Sequence, residues 1–325
     1  MQSFWHRLPR PFFVSAPMAD VTDSAFRALL ATYGKPDVTW TEFVSADGLY
    51  HTREKAKMPD EENPLMRDLA FTEGERPIVA QLFSSDSKTM AYAAQLVARL
   101  GFDGIDINMG CPDRAIERQG CGSAMIKTPK VAQEIVASAK SAGLPVSVKT
   151  RVGYSKESLD EWLPALFAAG PDAVTLHLRT RKEMSLVPAN WGLMQKAVAL
   201  RDALAPEVLL LGNGDVTNLD DARAKARASG ADGVMIGRGM FGNPWVFAGR
   251  TREDISLGEK LAALTKLAHA FESLRPAKNF SILKKHIKAF VTGFDGAAEL
   301  RAALMATENA VQLESKAQAF LATSA

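Results

Sequence analysis

Residues 101–112 read Gly-Phe-Asp-Gly-Ile-Asp-Ile-Asn-Met-Gly-Cys-Pro. Gly101 closes the helical stretch Ser87–Leu100, because glycine takes the left-handed conformation that ends a helix at no steric cost. Asp103 turns the chain. The apolar, β-branched run Gly104–Gly110 reads as a strand, and its far end carries polar Asn108, followed by Cys111 and Pro112. The same passage from helix through a Gly-x-Asp or Gly-x-Pro turn to a strand recurs at Gly143-Leu-Pro145, Gly170-Pro-Asp172 and Gly230-Ala-Asp232.

Working outward, eight such runs appear: Val14–Met18, Val38–Val44, Pro77–Phe83, Gly104–Gly110, Val146–Val152, Ala173–Arg179, Val208–Gly214 and Gly233–Gly239. Stretches of helical period separate them, at Ser24–Tyr33, Ser87–Leu100, Pro129–Ala142, Leu159–Ala169, Trp191–Leu204 and Leu219–Ala228. Both an open doubly wound sheet and a closed barrel are built from such units. Eight units in this length favour an α/β fold of the (β/α)8 barrel type. After Trp245 the strand runs stop. Helices are expected at Leu257–Leu274, Phe280–Val291, Ala297–Met305 and Ala310–Leu321. The expected division is a barrel domain over 1–247 and a small all-α domain over 248–325.

The 325 residues are 47% hydrophobic and 23% charged, which excludes a mostly disordered chain, a collagen and a coiled-coil rod. Lys and Arg number 39 against 37 Asp and Glu, so any nucleic-acid footprint must be local. One such stretch exists: Arg275, Lys278, Lys284, Lys285, His286 and Lys288 have no acid among them between Ser273 and Thr292. A solvated helix face and a phosphate-contacting patch both fit it. Cys111 and Cys121 do not make a disulfide framework. No apolar run approaches the ~20 residues of a membrane span. Pro9, Pro11 and Pro17 break the N-terminal apolar patch, so it reads as mature sequence of a cytoplasmic protein.

In a barrel, chemistry gathers at the C-terminal ends of the strands. Those ends carry Ala16-Pro17-Met18, Gln81, Asn108 with Cys111, Lys149 with Arg151, His177 with Arg179, Asn213-Gly214-Asp215 and Gly237-Arg238. Polar groups inside apolar runs cost free energy unless partnered, and so many on one rim point to a bound polar ligand. The glycines after the last two strands, with Arg238, suit a phosphate. Lys149 suits an anion that develops during reaction, such as a reduced flavin. A thiol at Cys111 is either a nucleophile or a proton donor. No second His or Cys stands at metal spacing from His177, so no metal is expected.

These residues carry a resemblance. The segments APMADVTDSAFR, TEFVSADGL, DGIDINMGCPDRAIERQGCGSAM, VSVKTRVGY, LLGNGDV and DGVMIGRGMFGNPWVF, with the C-terminal KKHIKAF, are similar to the tRNA-dihydrouridine synthase family, and to its DusB-like branch in particular. The resemblance spans residues 11–305. It implies an FMN-bound barrel that uses NADPH to reduce the C5=C6 bond of a D-loop uridine in tRNA. Cys111 would donate the proton to C5 while hydride passes from flavin N5 to C6. Pro17, Met18, Ala19, Gln81, Lys149, His177, Asn213, Gly214, Asp215, Gly237 and Arg238 would hold FMN. Asn108, Arg151 and Arg179 would contact the uridine, and Lys284 and Lys285 the tRNA backbone. A monomer is expected. Two other readings stand beside this one: an FMN oxidoreductase of a free pyrimidine, like dihydroorotate dehydrogenase, and a redox-inactive tRNA-binding protein.

Overall fold

The computed structural model describes residues 3–324. Nine strand segments form one parallel sheet: β1 (Phe12–Ser15), β2 (Thr39–Trp40), β3 (Val44–Ser45), β4 (Ile78–Phe83), β5 (Gly104–Met109), β6 (Val146–Arg151), β7 (Ala173–His177), β8 (Leu209–Asn213) and β9 (Gly233–Ile236). Their order is β1-β9-β8-β7-β6-β5-β4-β2, with β3 also on β4. A parallel bridge between Val14 and Val38 brings β1 beside β2 and nearly closes the barrel. β2 and β3 are two segments of the single strand expected over Val38–Val44. The strand divides because the Thr41 hydroxyl accepts the Gln81 N–H at 3.0 Å, standing in for a backbone carbonyl of the ladder.

The recurring turns have a shared physical role. Asp37, Asp103, Asp172 and Asp232 each precede a strand. Each accepts from an N–H in the first two residues of an earlier strand, from Phe13, Ile78, Val146 and Leu210, at 2.6, 2.8, 2.9 and 2.9 Å. In every case the aspartate N–H donates back to that residue's carbonyl. Donors that the ladder would leave orphaned at the N-terminal face are thereby satisfied.

Strand alternation sorts the side chains. Ile105, Ile107, Met109, Val146 and Val148 are buried against the surrounding helices. Their alternates point inward and are polar. Gln81 lies opposite Asp106, Asp106 opposite Ser147, Asn108 opposite Lys149, Arg151 opposite His177, and His177 opposite Asn213. These residues form a polar column that opens at the C-terminal rim, while Val14, Trp40, Val79, Leu209, Leu211 and Met235 belong to the apolar core.

The helices match the expected spans within about two residues, including Ser24–Tyr33 and Ala297–Met305. The stretch Phe280–Val291 is a 3-10 turn, Phe280–Leu283, followed by the helix Lys284–Phe290. The turns Ala46–Tyr50, His51–Lys55 and Pro64–Asp68 add structure to the segment before β4. C-terminal helices starting at Leu257 pack on the barrel through a shared apolar cluster that joins Phe26 and Leu30 to Leu264, Leu267, Ile287 and Phe290. No helix among the described residues is long and apolar enough to cross a membrane.

Candidate active site

A cavity of about 240 Å³ opens at the rim. It is lined by Pro17 and Met18 after β1, Lys149 of β6, His177 of β7, Asn213-Gly214-Asp215 at the end of β8, and Gly237-Arg238 after β9. Ala16, Arg179, Ser185 and Val216 complete the wall. A second cavity of about 490 Å³ shares Asp215, Val216 and Arg238 with it and continues over the rim past Thr217 and Asn243. Two of the expected cofactor residues lie elsewhere. Ala19 faces a cleft toward the helical region. Gln81 is buried behind the cavity, where its amide donates to Asp106 at 2.6 Å.

Lys149 is half-buried and reaches only Asn213 Oδ1, at 3.3 Å. Burial, with Arg151 adding to it, brings its ammonium down to about 8. Asp106, fully buried below it, is raised to about 6 by burial and is held by Ser147 and Gln81.

His177 is pushed down to about 2 by burial, reinforced by Lys149, Arg151 and Arg179, so it is neutral. Arg179 Nη1 lies 3.2 Å from His177 Nε2, and a guanidinium can only donate. Nε2 must therefore accept, and Nδ1 carries the proton. Asp215 sits at φ +50 and binds both Arg179 and Arg238 while accepting the Ala189 N–H at 2.8 Å. The hydrogen bond from Arg179 brings its carboxyl down to about 2. Its role is to aim two guanidiniums. The cavity walls still carry Lys149, Arg179 and Arg238 against this single carboxylate, so they favour an anion. Glycine is required at Gly214, where φ is +125 and a Cβ would lie 2.8 Å from the Ala189 methyl. At Gly237 a Cβ would project into the space between Ala16 and Met18.

Cys111 follows β5, held by Asn108, whose Oδ1 accepts the Cys111 and Gly110 N–H groups at 2.9 and 3.1 Å. Arg151 braces the same loop, with Nε donating to the Gly110 carbonyl at 2.7 Å. Its Nη1 reaches the Thr180 and Met184 carbonyls at 3.0 Å each. Asn108 and Arg151, expected as uridine contacts, thus hold the loop that presents Cys111. Burial raises the Cys111 thiol above its ordinary value; the Asp113 backbone N–H lowers it only in part, and the Asp113 carboxylate raises it further. Such a thiol stays protonated at neutral pH. Cys121 is buried, also free, and raised to about 11 by burial.

The basic stretch is divided. Lys278 is buried among Glu42, Asp68 and Asp23. His286 is buried between Phe26 and Phe241. Lys285 pairs with Asp20 at 3.7 Å, Lys284 is half-buried, and Lys288 is exposed. Asp106, Ser185 and Glu42 do not stand out in the sequence, and Lys278 does so only as part of the basic stretch. Only Asp106 carried a usable signal, its spacing of two from Asn108, which puts both on the inner face.

Residues 14–324 match the family model described as dihydrouridine synthase. The chain is 41% identical over 312 residues to the probable tRNA-dihydrouridine synthase 2 of Bacillus subtilis (strain 168), covering 95% of this chain and 93% of that protein. It is 40% identical over 311 residues to the probable tRNA-dihydrouridine synthase of Staphylococcus aureus (strain COL), covering 95% and 92%. Among solved structures, histamine dehydrogenase from Rhizobium sp. 4-9 superposes with a TM-score of 0.53 at 14% identity over 84% of this chain and 50% of its own. A 2-naphthoyl-CoA reductase gives 0.55 at 8% over 75% and 51%. These two likenesses bear on the fold alone. On the match across its length and its relatives, the chain belongs to the dihydrouridine synthase family, a family of oxidoreductases.

Proposed function

We propose that the protein is an FMN-dependent, NADPH-driven tRNA-dihydrouridine synthase, with Cys111 as proton donor. The observation that carries this reading is the pairing of a cationic cavity with a protonated thiol on the neighbouring loop. The residues fit FMN. Arg238 and the opening N–H groups of the 3-10 turn Arg238–Met240 suit its phosphate, where the two cavities meet. Lys149, with no carboxylate partner among the described residues, suits negative charge on the isoalloxazine ring. His177 offers a neutral Nδ1–H. Asp215 keeps Arg179 and Arg238 in place.

When bound, FMN supplies a hydride for C6 of the uracil. Cys111 holds the proton that C5 needs, and Asn108 and Arg151 fix where that thiol stands. The base must leave its stack to enter the barrel mouth. Lys284, Lys285 and Lys288 would meet the backbone of the rest of the RNA. The reaction is tested by incubating unmodified tRNA with the protein and NADPH. A mass gain of two hydrogens in a uridine is expected, and a free pyrimidine reduced at a comparable rate would favour the small-substrate alternative.

Two further results are expected. Affinity for reduced FMN should weaken relative to oxidised FMN as pH rises past about 8, because the cation that would face the negative charge of the reduced ring is lost there, by up to tenfold per pH unit. The midpoint potential of the bound flavin, compared with that of free FMN from pH 6 to 10, measures this, and a difference that does not change with pH would detach Lys149 from the cofactor. Lys284→Ala combined with Lys285→Ala should weaken tRNA binding and shallow its salt dependence by roughly one to two phosphate contacts, with FMN affinity unchanged. An unaltered slope would make the stretch a solvated helix face.

A further inference from the structure

The segment Glu183–Pro188 stands at the barrel mouth, and all of it is exposed. Its backbone is nevertheless pinned. Arg151 donates to the Met184 carbonyl, Arg179 Nε donates to the Val187 carbonyl at 2.5 Å, and Glu183 accepts the Thr180 N–H at 2.7 Å. Two buried arginines thus hold a segment whose side chains face solvent. Met184, Leu186 and Val187 are three of the protein's large exposed apolar residues, and Leu186 is 86% exposed. A single exposed leucine is ordinary, but three within four positions on a fixed support call for something that covers them.

The segment is a wall between two spaces. Ser185 faces the cavity with Lys149 and His177. Leu186 and Val187 face a separate groove of about 550 Å³, which also contains Pro188, Lys156 and Lys182. The carboxylates of that groove are already engaged: Glu157 pairs with Lys196 at 3.2 Å, and Glu183 binds Thr180. Lys156 and Lys182 form no ion pair among the described residues. The groove therefore offers one apolar wall and two available ammonium groups. A nucleotide offers one flat apolar face and one anion.

We propose that this groove is a second nucleotide site, which takes a nucleotide adjacent to the target uridine in the same RNA strand, with its base on Leu186, Val187 and Pro188 and its phosphate on Lys156 and Lys182. The inference rests on the proposed reaction at the cavity. An RNA whose target base enters the barrel mouth over that cavity can carry its neighbour across this wall, and the groove is the space beyond it. Stacking on the wall would also replace the stacking that the neighbour loses when the target base leaves.

The test uses full-length protein loaded with FMN. Leu186→Ala, and separately Lys156→Ala with Lys182→Ala, should raise KM for tRNA about tenfold. Flavin content and the rate of NADPH-driven flavin reduction should stay as in the wild type, which excludes misfolding. A tRNA with an abasic residue on one side of the target uridine should show the same loss with the wild type, and no added loss with Leu186→Ala. The proposal is overturned if both variants keep the wild-type KM for tRNA, if the two losses add for abasic residues on either side, or if the change falls on KM for NADPH, which would make the groove a site for the reductant. A wild-type protein that leaves every tRNA unreduced would instead defeat the reading of the cavity, an outcome distinct from these.

Discussion

Cys111→Ala is expected to lower uridine reduction in tRNA by about 10²–10⁴-fold, the usual range for removing a general acid, while flavin binding and its reduction by NADPH persist. The loss arises because C5 must gain a proton, and Asn108 and Arg151 hold the loop from which the Cys111 thiol would supply it. Asn108 and Gly110, which shape the loop, keep their backbone contacts in the variant. The pH dependence separates this role from a nucleophilic one. Burial raises the thiol, so the acid form survives through neutral pH and is lost only as pH climbs past its ordinary value. The proton-donating step, read in single turnovers of pre-reduced enzyme, should therefore stay level from pH 7 to 9 and decline above. A nucleophile would show the reverse, with activity rising as the thiolate forms. Cys111→Ser should recover little, since a hydroxyl is a far weaker acid. Single-turnover oxidation of reduced enzyme by tRNA measures the step directly, and a flavin-replete Cys111→Ala that matches the wild-type rate would remove Cys111 from the mechanism.

Glu75→Ala is expected to cost about 3–5 kcal/mol of stability, the typical penalty for leaving a buried charge unpaired. Arg27 and Glu75 are both fully buried, with Nε and Oε2 2.7 Å apart. The guanidinium also donates to the Thr22 carbonyl at 2.9 Å and the Ala70 carbonyl at 2.5 Å. The cluster ties the helix Ser24–Tyr33 to the turn before β4, and that helix packs against the C-terminal helices. Replacing both partners, as Arg27→Met with Glu75→Leu, should cost much less, because no charge is then stranded. Denaturant melts of the single and double variants distinguish the cases. A loss below about 1 kcal/mol in Glu75→Ala would show that water reaches the pair.

The strands and long helices could be read along the chain because their signal is local. Glycine ends a helix, an aspartate marks the turn, and a β-branched run follows. The division of the second strand could not be read this way, since it depends on the Thr41 hydroxyl meeting the Gln81 N–H from another strand. The short turns at 46–55 and 64–68 lack the length for a helical period. At the site, residue types at strand ends marked Lys149, His177, Cys111 and Arg238. Their partnerships were not visible, because each crosses between strands. Asp215 lies between two guanidiniums and Asn108 holds the Cys111 loop, contacts that the strand-end pattern does not carry. Lys278, taken with a basic surface, is buried among three carboxylates because the helical region folds back onto the rim.

The central claim is that one flavin at this rim passes reducing equivalents from NADPH to a uridine in tRNA. The most direct measurement is the absorption spectrum of the purified protein under anaerobic conditions, first with NADPH and then with unmodified tRNA. The account predicts a flavin band that bleaches on NADPH and returns when tRNA is added, in proportion to the uridine reduced. A band that bleaches but does not recover with tRNA, or a protein that cannot be loaded with FMN, would contradict it.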